Sequence, residues 1–163
     1  MSPEKKLHLI IKYGNQLAQG RDTIEEHRQV LKEHRAVWFG KMGAGIGKNT
    51  IATLKKQLGD AQSTYLFLFQ RSERINVHQG KIVAIEVTRP SNDEAMIPAY
   101  YAACGIDRQM KLWVKISSLV RVNENVLADY HTASSGKKAL HTASKSIASV
   151  FMIAEGASTL DVW

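Results

Sequence analysis

Alternation of apolar and polar residues predicts a strand near the start of the chain and several more after it. A two-residue period over residues 7–13 indicates a half-buried strand that Gly14 and Asn15 end. The continuous apolar run at 64–70 predicts a central strand covered on both faces. Further strands are predicted over 36–39, 80–89, 111–122 and 149–154.

Apolar positions three and four residues apart predict helices between these strands. Residues 23–26 match a capping box, in which Thr23 would cap the first helix. His27 and His34 lie seven residues apart on its apolar face, which favours partly buried structural histidines over a metal pair. A second helix is predicted over 50–58, with Gln57 facing water.

The rest of the chain predicts short helices and loops, and the whole pattern gives a fold class. Short helices are expected over 123–130 and 137–145, and residues 91–110 contain a polar loop. With no linker or low-complexity stretch, the 163 residues should form a single α+β domain around a small mixed, mostly antiparallel β-barrel or curved sheet.

A glycine-rich basic loop between the 36–39 strand and the 50–58 helix is the first place to expect a ligand. Residues 40–48 hold four glycines and two lysines, and glycine lets backbone approach a bound group closely. A nucleoside-triphosphate loop is disfavoured, because Met42 and Asn49 occupy positions where that motif needs glycine and a hydroxyl residue. The loop suits an anion, and a flexible connection is the alternative.

Charge strengthens the interest in this part of the chain. The net charge is +7, and residues 1–58 hold eleven basic and five acidic residues, which is +6 of that total. Such a surplus favours polyanionic partners, although a solvated basic face that aids solubility is the alternative interpretation.

Other sequence features narrow the classes of function. No run is long and apolar enough for a membrane helix, and the N-terminus lacks a signal peptide, so we expect no membrane association and a cytoplasmic protein. Cys104 is the single cysteine, which excludes intrachain disulfides and cysteine-built zinc sites. No cofactor or metal motif occurs. The tetrad at 131–134, His-Thr-Ala-Ser, recurs at 141–144, and one echo is better explained as coincidence than as a repeat fold.

The order of these elements resembles PUA-like domains, with the EVE type closest. The resemblance covers residues 36–154, with 1–35 as an N-terminal addition and 155–163 as a tail. It implies a domain that binds DNA or RNA and holds a modified base in a pocket between a sheet face and loops. Transferred to this sequence, the ligand-binding candidates are Trp38 and Trp113 for stacking, Lys41 and Lys48 for phosphates, and Gly40, Gly43, Gly45 and Lys115 around them.

Two alternatives remain open beside this non-enzymatic interpretation. ASCH-type relatives of PUA domains include hydrolases of modified nucleosides that use a lysine and a carboxylate, for which Lys41 and Glu86 would be the pair. An interaction module is the other alternative, in which the apolar C-terminal residues 160–163 dock on a neighbouring subunit to form a homo-oligomer.

Overall fold

Eight strands form one open, mixed sheet in the computed structural model of the protein, which describes residues 6–14, 22–43, 46–71 and 74–160. The sheet runs in the order β2-β5-β4-β3-β1-β8-β7, with β6 paired to β4. In chain order the strands are β1 (Leu7–Lys12), β2 (Val37–Met42), β3 (Tyr65–Arg71), β4 (Ile75–Glu86), β5 (Met110–Ile116), β6 (Val120–Val122), β7 (Tyr130–Thr132) and β8 (Val150–Glu155). Strand β1 pairs in parallel with β3, whereas the other pairings among the described strands are antiparallel. The predicted α+β class and mostly antiparallel sheet are confirmed.

Within these described residues, four α-helices and three short 3₁₀ helices connect the strands. The α-helices are α1 (Thr23–His34), α2 (Lys48–Gly59), α3 (Tyr100–Ala103) and α4 (Ala139–Lys145), and the 3₁₀ helices span Ser91–Met96, Asp107–Gln109 and Glu124–Asp129. The predicted capping role of Thr23 is wrong. Asp22 caps α1 because its Oδ1 accepts hydrogen bonds from the backbone of Ile24 and Glu25, while the Thr23 hydroxyl donates to the Gly14 carbonyl.

The middle of the sheet is covered on both faces, as the apolar run at 64–70 predicts. Leu66 and Leu68 pack with α1 and α2 on one face, and Phe67 and Phe69 pack with the apolar residues around α4 on the other. All four side chains are at most 1% exposed, which burial of both faces of a strand requires.

Strands β2, β5 and β4 carry a different residue set on each face. Phe39, Val114 and Ile85 lie opposite one another in register and belong to the core beneath α1 and α2. Gly40, Trp113 and Glu86 form the adjacent row and face the other way, because successive residues of a strand alternate. This second face is covered by residues 91–109, which we call the cover segment.

A third apolar cluster forms where the cover segment meets this face. We call it the aromatic cluster, and its buried members are Trp38, Ile97, Tyr100, Tyr101, Ile106, Met110 and Trp113. Cys104 packs against it and is half-buried. The polar loop expected within residues 91–110 therefore belongs to a segment that supplies half of a core.

The expected orientation of Gln57 is also wrong. Its side chain is buried because its amide pairs with the backbone of Leu7, accepting from the N–H at 2.8 Å and donating to the carbonyl at 2.9 Å. The helical pattern of α2 gave no sign of this, since the partner is the backbone of a distant strand. Strand β7, three residues long, was not predicted at all.

Candidate functional site

A cleft of about 380 Å³ opens where the end of β4 meets the start of the cover segment. Trp38 lies at its floor and is only 3% exposed. The rest of the lining is polar, apart from Pro90, and comes from the consecutive stretch 86–93: Glu86, Thr88, Arg89, Pro90, Ser91, Asn92 and Asp93. The volume falls within the range of roughly 300–1,000 Å³ that small-molecule sites occupy, so the cleft has room for a group of nucleoside size.

Asp93 is the most strongly oriented group in this cleft. Its Oδ2 accepts hydrogen bonds from Trp38 Nε1–H at 3.2 Å and from Lys115 Nζ at 3.1 Å. These two donors, the lysine first, lower the pKa of Asp93, so the carboxylate is charged at neutral pH. Neither donor contacts Oδ1, and no other described residue does. A carboxylate oxygen held in place with free lone pairs is a ready acceptor for N–H groups of a ligand.

The charges around the cleft nearly balance. Arg89 donates to Glu94 and, through Nε, to Asp107 at 3.0 Å, which ties both ends of the cover segment to the end of β4. Glu86 lies 3.8 Å from the ammonium of Lys55. Because each charged group already has an opposite partner, the cleft suits a polar, uncharged ring better than a bare anion.

Lys115 contacts Trp38 as well as Asp93. Its Nζ lies 5.8 Å from the centroid of the indole ring, within reach of a cation–π interaction. The register explains the contact, since Trp38 and Lys115 are directly opposite on β2 and β5. The structure therefore brings together two of the residues singled out from the sequence, and adds Asp93 between them.

Tyr101 anchors the cover segment to β2 behind the cleft. Its hydroxyl accepts from the backbone N–H of Gly40 at 2.9 Å and contacts His27 Nε2 at 3.1 Å. His27 Nδ1 faces the Thr23 carbonyl at 2.8 Å, an acceptor only, so Nδ1 carries the proton and Nε2 accepts from Tyr101. Burial lowers the pKa of His27 to about 4, so the histidine is neutral and structural.

Gly40 is required by close packing. A Cβ at this position would lie 2.9 Å from Met110 Cγ and 3.0 Å from Trp113 Cζ3. Its role is thus to let the aromatic cluster approach β2, and the backbone does not face a ligand there.

The structure does not leave Trp113, the second stacking candidate, accessible to a ligand. The side chain is fully buried, and its ring centroid lies 5.3 Å from that of Tyr101. Trp113 does occupy the same strand face as Lys115, as the alternation predicted, but the cover segment closes over that face. Within residues 6–14, 22–43, 46–71 and 74–160 nothing accepts a hydrogen bond from its indole N–H.

The glycine-rich loop does not converge with Trp38 as a single site. Lys41 lies on the opposite face of β2 from Trp38, where its Nζ donates to the Met42 carbonyl at 2.6 Å and burial lowers its pKa. Gly43, with φ of +82°, and Lys48, at the start of α2, are both exposed. Gly45 lies outside the described residues.

The pair required by the hydrolase alternative is not assembled. The row of Gly40, Trp113 and Glu86 places Glu86 on the face opposite to Lys41. Among the described residues, no cluster of three histidine, cysteine, aspartate or glutamate side chains has the geometry of a metal site. No helix within the described residues is long and apolar enough to cross a bilayer.

Sequence reasoning missed most residues of the cleft. No sequence motif predicts a ligand contact at Asp93, Arg89 or Asn92. The sequence signal for these residues is the polar run at 91–94, directly after Pro90 at the predicted end of a strand. This run is distant from Trp38 in the sequence and becomes its neighbour only in the folded protein. Of the proposed C-terminal contact, residues 161–163 lie outside the described part of the chain. Leu160 lies near Gly136, with its Cδ1 3.7 Å from the position that a Cβ on that residue would take.

Comparison with known proteins gives one match. A family model described as Pua-like matches residues 9–151, which is most of the chain and includes every lining residue of the Trp38 cleft. No curated protein and no solved structure shows significant similarity to the chain.

Proposed function

Because the chain belongs to the PUA-like family, whose domains generally bind RNA or other nucleic acids, we propose that it binds a single nucleic-acid strand and holds one base in the Trp38 cleft. The observation that carries this proposal is the oriented carboxylate of Asp93 at the mouth of a cleft with room for a nucleoside. A base turned out of its strand needs such a pocket, with an aromatic floor and a few directed hydrogen bonds.

The chemistry of the lining favours a base that carries N–H donors. Asp93 Oδ1 accepts hydrogen bonds, and the exocyclic amino groups of adenine, cytosine and guanine donate them. Since the described structure leaves only a small part of Trp38 exposed, the base contacts the indole edge unless the cover segment moves outward. The EVE-type resemblance supports a modified base as the preferred ligand, because added substituents would be read by the neighbouring side chains of Thr88, Ser91 and Asn92.

Phosphates of the same strand would be held outside this cleft. Lys48 is exposed and has no ion-pair partner among the described residues, which makes it a better phosphate contact than Lys41. Gly43 lies five residues from Trp38 along β2, or roughly 16 Å at 3.3 Å per residue. A nucleic-acid strand that reaches both the Trp38 cleft and the end of β2 therefore spans several nucleotides.

The Asp93→Asn variant tests recognition of the base separately from binding of the sugar-phosphate backbone. The amide oxygen of asparagine still accepts from Trp38, but the negative charge is lost and Lys115 is released from its ion pair. We expect affinity for the preferred base to fall about tenfold, the value of one hydrogen bond to a charged group, while affinity for other sequences is unchanged or rises. Fluorescence anisotropy with single-stranded RNA and DNA that differ at one modified or unmodified base measures both.

Lys48→Ala is the complementary variant, and Lys32→Ala on α1 is its matched control. Loss of one phosphate contact should weaken all sequences alike and reduce the slope of log affinity against log salt by about 0.7. Equal affinity for every base in the wild-type protein, together with no effect of Asp93→Asn, would refute the proposed reading of a base.

A further inference from the structure

A second cleft, of about 330 Å³, lies between β7, the turn that follows it and α4. Strand β7 ends the sheet path opposite to β2, so this cleft is at the other end of the sheet from Trp38. Of its eight lining residues, five carry hydroxyl groups and three are basic, namely Lys137, His141 and Lys145. No carboxylate lines it. This cleft therefore has an excess of basic residues, whereas the charges in the Trp38 cleft nearly balance.

The repeated tetrad of the sequence forms the walls of this cleft. Thr132 and Ser134 come from the first copy, and His141 and Thr142 from the second. The two copies contact each other directly, since Thr132 Oγ1 donates to Thr142 Oγ1 at 2.6 Å. A hydroxyl that accepts a hydrogen bond keeps its own proton, so Thr142 has one to donate into the cleft.

The turn that carries the first copy is rigidly held. The N–H of Thr132 donates to the Lys137 carbonyl at 2.8 Å, and the N–H of Gly136 donates to the Thr132 carbonyl at 2.7 Å. Gly136 has φ of +74°, a left-handed conformation that glycine adopts without strain. The Ser158 hydroxyl also donates to the Gly136 carbonyl at 2.6 Å. The backbone that carries these side chains is therefore held by hydrogen bonds before any ligand arrives.

The cations of the cleft are available for a ligand. Lys137 and Lys145 are exposed, and neither ammonium group has an ion-pair or hydrogen-bond partner in the part of the chain that the structure describes. Several hydroxyl donors with two or more cations, and no acceptor carboxylate, match a phosphate group, which offers only acceptor oxygens and negative charge.

We propose that this cleft, defined by Thr132, Ser134, Lys137, His141, Thr142 and Lys145, is a phosphate-binding site. The inference goes beyond the proposed function, since it requires no base in the Trp38 cleft. The phosphate is either a phosphodiester of a bound strand or the phosphomonoester of a small molecule, and the same donors recognise both.

The site is tested by recording amide NMR spectra of the ¹⁵N-labelled full chain during titration with inorganic phosphate, with chloride keeping the ionic strength constant. We expect saturable shifts of amide signals within residues 132–146. In the double variant Lys137→Gln, Lys145→Gln, the dissociation constant for phosphate should rise about tenfold or more, because charge-assisted hydrogen bonds are lost. The control Lys32→Gln, Lys81→Gln removes the same charge from exposed positions elsewhere and should leave the dissociation constant unchanged.

Two further titrations identify the source of the phosphate. An oligonucleotide without a terminal phosphate that shifts the same amides supports the phosphodiester, whereas a nucleoside monophosphate that does so alone supports the phosphomonoester. If inorganic phosphate, the oligonucleotide and the mononucleotide all leave residues 132–146 unshifted, the site does not exist. If inorganic phosphate shifts them but no oligonucleotide binds the protein, this inference stands and the proposed function fails.

Discussion

At the scale of single residues, one buried hydrogen-bonded chain holds the Trp38 cleft in shape. It runs from the Gly40 N–H to the Tyr101 hydroxyl, then to His27, and ends at the Thr23 carbonyl. Each of these groups is buried, and unpaired buried polar groups cost about 1–3 kcal/mol each. This series of hydrogen bonds therefore holds the cover segment, which carries Asp93, against β2.

The first prediction at this scale concerns the response to acid. The pKa of His27 is lowered to about 4 in the folded protein, against an ordinary value of 6.5, because burial disfavours the charged form. Between these two values the unfolded chain binds a proton that the folded chain does not, so stability is greatest above pH 6.5 and falls as the pH drops towards 4. The loss from this one group is roughly 3 kcal/mol.

Urea unfolding at a series of pH values measures this loss. His27→Gln should be less stable than wild type at pH 7. Its free energy of unfolding should also fall less steeply as the pH drops, with a slope smaller by at most the contribution of one bound proton. Gln29→Ala replaces an exposed residue of the same helix that does not titrate, and should leave the slope unaltered. An unchanged slope in His27→Gln would show that this histidine is already protonated or exposed.

The second prediction concerns the packing beneath the cleft. Gly40→Ala places a Cβ within 3.0 Å of Met110 and Trp113, and the tryptophan is fully enclosed. We expect a loss of about 1–3 kcal/mol in the free energy of unfolding, typical of an overpacked core. Gly14→Ala, where a Cβ meets nothing within 4 Å, is the control for thermal denaturation. Equal melting temperatures for the two variants would contradict the packing described here.

At the scale of elements, the side chain of Gln57 joins α2 to β1 by hydrogen bonds, in addition to the apolar packing of α2 on the sheet. Gln57 pairs with both backbone groups of Leu7, as a neighbouring strand would, and its Nε2 also contacts Thr64 Oγ1 at 3.2 Å. Leu7 is paired with β8 on one side, but the pairing of β1 with β3 begins only at Leu9, so this amide satisfies backbone groups of Leu7 that β3 does not reach.

Gln57→Ala should therefore cost more than an exposed truncation on the same helix. We expect the free energy of unfolding to fall by about 1–3 kcal/mol, because the backbone groups of Leu7 lose their partners. Lys56→Ala, one residue earlier and exposed, should change it by less than about 0.5 kcal/mol. Chemical denaturation of both variants makes the comparison, and equal stabilities would mean that water replaces the amide without cost.

The elements also show which information the sequence held. The strands with clear alternation or long apolar runs, β1, β3 and β8, were predicted close to their observed bounds, because their pattern follows from local geometry. The single strand predicted over 111–122 is divided in the structure into β5 and β6. The packing of the cover segment was not predicted, since Ile97, Tyr100, Tyr101 and Ile106 follow no helical or strand period. Burial of Trp113 depends on that segment, so strand alternation predicts which face the side chain lies on but not whether that face is covered.

At the scale of the whole molecule, two clefts of different charge lie towards opposite ends of one sheet. The cleft at β2 and β4 has nearly balanced charge and an aromatic floor, and the cleft at β7 is cationic and rich in hydroxyl groups. The basic surplus of the chain, a net charge of +7, would speed the encounter with a polyanion before either cleft is filled. Charge composition predicted this class of partner, but the positions of the clefts depend on contacts between distant segments.

The most direct test of the account follows the indole N–H signals of the tryptophans by NMR while a single-stranded oligonucleotide is added. Trp38 Nε1–H donates to Asp93 inside the cleft, whereas Trp113 is enclosed in the aromatic cluster. The variants Trp38→Phe and Trp163→Phe assign the signals of the three tryptophans. The account predicts a saturable shift of the Trp38 signal with little change at Trp113. Binding that leaves the Trp38 signal unmoved would contradict it.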